Sequence, residues 1–108
     1  MDEYVYNFNA QKNFALKKER GISFEEIIAA INDGYLLDII EHPNKNKYAH
    51  QHIYVIDIDC YVYLLPFIEN DNEVFLKTIF PSRKLTKKYI DNLKIRSVKH
   101  ERNKKTKT

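Results

Sequence analysis

The clearest periodicity in the chain lies in ISFEEIIAAINDG, residues 22–34. Phe24, Ile27, Ile28 and Ile31 recur at i, i+3, i+4 and i+7, which puts them on one face of a helix. Ser23 and Glu26 have the S-x-x-E spacing of a capping box, with Ile22 and Ile27 at the staple positions and Gly34 as the stop. Ahead of this helix, YVYNF (4–8) is rich in β-formers and alternates weakly, which predicts a short strand. Asn9 is then a cap for a helix over 10–20, ended by Gly21.

After Gly34 the pattern changes to strands. YLLDIIEH (35–42), HIYVIDID (52–59), YVYLLPFIE (61–69) and EVFLKTIF (73–80) are apolar and rich in β-branched and aromatic residues. HPNKNKYAHQ reads as a loop, Asp59–Cys60 as a hairpin turn and NDN (70–72) as a tight turn. In the last run Val74, Leu76, Thr78 and Phe80 alternate with Phe75, Lys77 and Ile79. A strand apolar on both sides is central, covered by helices on one face and packed or lining a cleft on the other. A final helix starts near Ser82, with Leu85, Tyr89 and Leu93 on its core face. The order β-α-α-β-β-β-β-α predicts an α+β fold. Its sheet is mostly antiparallel and four- to five-stranded, with the two N-terminal helices packed on one face and a C-terminal basic helix. The expected organisation is a single domain over 1–93 and a basic C-terminal tail over 94–108.

Composition narrows the setting. The chain has 108 residues, enough for one core. Cys60 is the sole cysteine, so no intrachain disulfide forms, and a reducing cytoplasm is the expected location. No apolar stretch approaches the length of a membrane helix, so no membrane partner is expected. The opening MDEYVYNFN has neither the basic nor the apolar region of a signal peptide.

Charge changes the picture more. Residues 1–81 carry seven Lys and Arg against thirteen Asp and Glu, whereas residues 82–108 carry eleven against two. Such a basic end suits a polyanion or an acidic protein, or serves only solubility. Within it, IFPSRKLTKKYI (79–90) places Arg83, Lys84, Lys87 and Lys88 in the first turns of the predicted helix. Cations are unfavourable at that end of a helix dipole. A bound phosphate would reverse the sign, held by the helix N-terminus together with Arg83 and Lys84.

Other candidates are more open. Lys77 interrupts an apolar strand, either as a snorkelling or acid-paired lysine or as a cleft lysine that stabilises phosphate charge. His50 and His52 share a face of an extended segment, but two imidazoles without a third ligand make no zinc site, so no metal is expected. His42 or His52 could serve as general acid or base at the mouth of a cleft. Tyr61 and Tyr63 share a strand face, as half-buried sheet residues or as platforms for stacked bases. With two glycines there is no glycine-rich phosphate loop, and no cofactor is expected.

The stretch QKNFALKKERGISFEEIIAAI resembles the opening of the BrnT-like toxins: Gly21, Ser23, Phe24, Glu25 and Glu26 match that family's block. Arg83, Thr86 and Tyr89 fit its later serine/arginine turn, threonine and basic helix, so the resemblance covers about residues 8–90. Asn9 and Ala10 stand where the family has Trp-Asp, and Arg20 where a histidine is common.

The resemblance implies a RelE-like fold and the toxin of a type II toxin–antitoxin pair, a metal-independent endoribonuclease. Its implied partners are a cognate antitoxin of ribbon-helix-helix type and an RNA substrate, mRNA or ribosome-associated. In that reading the ribose 2′-OH attacks the adjacent phosphate. Arg83 holds the non-bridging oxygens, and Lys77 and Lys84 add charge. Glu41, His42, His52 and Tyr61 are all open as acid or base. Lys87, Lys88, Tyr61 and Tyr63 contact the RNA. The alternative is a non-catalytic module that binds RNA, or an acidic protein, through the same basic end.

Overall fold

The computed structural model describes residues 4–44, 46–47 and 51–91. The order is β1 (Val5–Phe8), α1 (Ala10–Arg20), α2 (Phe24–Asn32), β2 (Leu36–Glu41), β3 (Gln51–Ile58), β4 (Tyr61–Asn70), β5 (Glu73–Leu76), β6 (Phe80–Pro81) and α3 (Arg83–Leu85). Residues Thr86–Asp91 continue α3 as a π-helical segment. The fold is α+β with an open, mostly antiparallel sheet of six strands. Its path is β1-β5-β4-β3-β2, with β6 beside β4. Only β1 and β5 pair in parallel among the described strands.

The caps follow the sequence. Asn9 accepts from Lys12 N at 2.8 Å, and Gly21 ends α1 with φ 69°. Ser23 and Glu26 form the reciprocal capping box of α2. Leu16 of α1 with Phe24, Ile27 and Ala30 of α2 pack on Tyr54, Ile56, Leu65 and Phe67 of the sheet. Phe24 and Ile27 are fully buried, each contributing about 1.5–3 kcal/mol from burial. Both N-terminal helices thus share one sheet face, called the helix face below. On the opposite face Val55, Val62 and Ile90 form a smaller cluster with Leu85 and Tyr89.

The predicted strand over 73–80 is broken. β5 ends at Leu76, and pairing resumes at Leu64↔Phe80 after Phe67↔Leu76. The cause is Pro66 in β4. Lys77 N–H donates to Pro66 O at 2.8 Å, but a proline has no N–H to return the bond. The chain opposite takes one extra residue there, a bulge. The parity of exposed and buried positions then flips, so Val74, Leu76 and Ile79 all pack in the helix-face core. Lys77 and Phe80 go to the other face. Lys77 is therefore outside any strand, in the irregular step between β5 and β6.

The final helix also departs from expectation. Ser82 caps it through Leu85 N–H at 3.1 Å, and Thr86 Oγ1 donates to Ser82 O at 2.7 Å. Ser82 O also accepts the regular helix bond from Thr86 N–H at 3.0 Å, and the wider π-helical segment brings Ile90, five residues after Leu85, to 4% exposure. The expected Leu93 contact and the tail over 94–108 lie outside the described residues. The α-segment is three residues long before the π-helical turns begin.

Candidate functional site

On the face opposite α1 and α2, a cleft of about 590 Å³ opens beside the bulge. Its floor is apolar: Ile53 of β3, Leu64 and Pro66 of β4, and Phe80 of β6. Polar groups reach it from three sides, namely Lys77 and Thr78 from the bulge, His42 after β2, and Gln51 at the start of β3. An apolar floor with a few convergent polar groups is the usual make-up of a ligand site.

The bulge explains why Lys77 is there. Its strand neighbours on the same side are Phe75 and, past the extra residue, Phe80. The ammonium lies 5.9 Å from the Phe75 ring centre, and the residue is exposed. Among the described residues no carboxylate forms an ion pair with it. A cation held over a ring and aimed at solvent is available to an anion.

His42 has a defined tautomer. Its Nδ1 accepts from Asn44 N–H at 3.1 Å, which places the proton of a neutral ring on Nε2.

The remaining sequence candidates separate. Arg83, Lys84, Lys87 and Lys88 are exposed on the helical segment that packs on the cleft-bearing face. None of them lines the cleft. The segment is pinned by Ser82 N–H to Val62 O at 2.9 Å and by Thr86 Oγ1, which accepts from Val62 N–H at 2.8 Å. At its far end Tyr89 OH donates to Asp38 Oδ2 at 2.9 Å. That bond to a carboxylate, then burial, raises the phenol's pKa.

His52, expected with the catalytic group, is on the other side of the sheet. It alternates with Ile53, and its ring lies 6.1 Å from that of Phe67, a helix-face core residue. Tyr61 and Tyr63 are on that side as well, edge to face at 5.8 Å, with Tyr63 packed on the helix-face core. The period of two along β3 and β4 sends all three away from Lys77. His50 lies outside the described residues.

Compared with known proteins, the chain matches no family model, no curated protein and no solved structure. The site therefore stands on its geometry. Among the described residues no three His, Cys, Asp or Glu group closely enough to hold a metal ion, and no helix is long and apolar enough to cross a membrane. A second cavity of about 410 Å³ between α2 and the β3–β4 turn is acidic, lined by Glu26, Asp33, Asp57 and Asp59, and would repel the same anion. Sequence reasoning missed Gln51, Pro66 and Phe80. Pro66 was the available signal, since a proline in a central strand marks a break in one ladder.

Proposed function

We propose that the chain binds single-stranded RNA across the sheet face that carries the Lys77 cleft, and acts there as a metal-independent endoribonuclease. The observation that supports this is the gathering of Lys77 and His42 in one apolar-floored cleft. The sheet face that holds it also carries the exposed cations Arg83, Lys84, Lys87 and Lys88. The resemblance to BrnT-like toxins implies a RelE-like fold, and the order of one strand, two helices, five strands and a basic helical segment supports that reading. In that reading the protein is the toxin of a type II pair in the cytoplasm, held inactive by a ribbon-helix-helix antitoxin.

The step is transesterification. The 2′-oxygen attacks the adjacent phosphorus, the bond from phosphorus to the 5′-oxygen breaks, and a 2′,3′-cyclic phosphate and a 5′-hydroxyl result. The 2′-OH proton leaves to water, and the 5′-oxygen takes one from water. Lys77 stabilises the extra charge on the phosphate oxygens, with His42 beside it in the cleft. Arg83 and Lys84, next to each other on the helical segment, hold the strand beyond the cleft. His42 replaces His52 in this assignment, because His52 faces away.

One observation favours a second reading, RNA binding without cleavage: no described carboxylate lines the cleft as a base. Induced expression in a bacterial host separates the two, with wild type beside Lys77→Ala and Arg83→Ala at equal protein level. The ribonuclease reading expects growth arrest with cut RNA, relieved by Lys77→Ala. Soluble, folded wild type that binds RNA but neither arrests growth nor cuts RNA establishes the binding module instead.

A further inference from the structure

The cleft is more than a phosphate site. We propose that it is a base pocket, which takes one unstacked nucleobase of the RNA strand against Phe80 while Gln51 reads the base edge and Lys77 holds the neighbouring phosphate. The inference rests on the RNA-binding reading above and specifies what the cleft contributes to it.

A site for phosphate alone has no use for an apolar floor. Here Ile53, Leu64, Pro66 and Phe80 offer a surface that suits the face of a base. The volume of about 590 Å³ falls in the range of pockets that take small organic ligands. Phe80 is 37% exposed although its backbone is fixed in the ladder opposite Leu64. A ring exposed on a fixed backbone is pre-organised for stacking and loses little freedom on binding.

The polar groups sort by chemistry. Lys77 offers only donors and a charge. Gln51 offers both a donor pair and an acceptor in one plane, which matches the mixed donors and acceptors of a base edge. Gln51 is held in the β3–β4 ladder opposite Ile68, and its place in the alternation puts it on the cleft side with Ile53. Charge selects the strand over an apolar peptide. Arg83 and Lys84 follow β6 after Ser82 and are exposed, so the strand leaving the pocket on that side meets cations.

Fluorescence anisotropy with end-labelled pentaribonucleotides of each base, and one with an abasic centre, tests the pocket in the full chain. Wild type, Phe80→Ala, Phe80→Leu, Gln51→Ala and Lys77→Ala are compared after circular dichroism has confirmed folding. Phe80→Ala is expected to weaken binding about tenfold, from the usual loss of one stacked base. Phe80→Leu keeps the apolar bulk and is expected to lose most of the same factor. The abasic pentamer should bind wild type as weakly as the intact pentamer binds Phe80→Ala. Gln51→Ala should flatten the preference among the bases.

Equal binding of intact and abasic pentamers, with only Lys77→Ala weakened, would overturn the pocket and leave the RNA reading standing. A free nucleoside monophosphate bound as tightly as the pentamer would overturn it too, because the cleft would then serve free nucleotides. No binding of any pentamer at low salt would remove the RNA reading itself.

Discussion

Asn13 is 6% exposed and spends both ends of its amide on the start of α2. Its Oδ1 accepts from Phe24 N–H at 2.7 Å, and its Nδ2 donates to Glu25 Oε1 at 2.9 Å. Asn13→Ala leaves the Phe24 N–H buried without a partner, so unfolding in urea should show a loss of about 1–3 kcal/mol. The same amide is the main reason that the Glu25 carboxyl titrates below its ordinary 4.5. A depressed pKa adds stability that is complete above 4.5 and fades as pH falls through the lower folded value. Glu25 faces solvent, so the effect is small, and Asn13→Ala should flatten the acid limb of the stability–pH curve. The sequence showed Asn13 only as a polar residue inside a helix. Its role depends on how α1 lies against α2, which no local pattern encodes. The caps at Asn9 and Ser23 were legible because each is completed within three residues of itself.

Strand existence was legible for the same reason: alternation is local. The break between β5 and β6 was not, because its cause sits on β4, in Pro66. Reading 73–80 as one strand put Phe80 on the side of Val74 and Leu76, and the bulge reverses that. The resulting cleft owes its floor to one missing N–H. Thr86 plays the complementary part for the helical segment. Its hydroxyl supplies the acceptor that Val62 N–H would otherwise lack, and it donates to Ser82 O beside the backbone bond from Thr86 N–H. Thr86→Val keeps the shape and removes both bonds. The expected cost is about 1–3 kcal/mol, read as a lowered midpoint of thermal unfolding. Amide exchange should rise at Val62 and leave α2 unchanged.

Across the whole molecule, the sheet divides the charge and the chemistry. The acidic cavity lies against α2, while Lys77 and the basic helical segment share the other face. The sequence displayed the basic end plainly. It did not show which candidates share a face, and the sorting of His52, Tyr61 and Tyr63 away from Lys77 required register. RNA binding should weaken steeply with salt, and replacing Arg83 and Lys84 together by Ala should reduce the log–log slope by about 1.4 for two lost contacts to a single strand. A salt-independent affinity would argue against strand tracking by this segment. The parallel pair β1–β5 carries one more consequence, for the order of events during synthesis. Val5 pairs with Glu73 and Phe8 with Leu76, so β1 leaves the ribosome long before its partner β5 exists. The helix pair and the β2–β3–β4 meander can form from near neighbours, whereas β1 must wait and then close a long loop, a slow kind of contact. Until then Tyr6 and Phe8 have no sheet to cover, and the nascent chain presents them to whatever else is nearby.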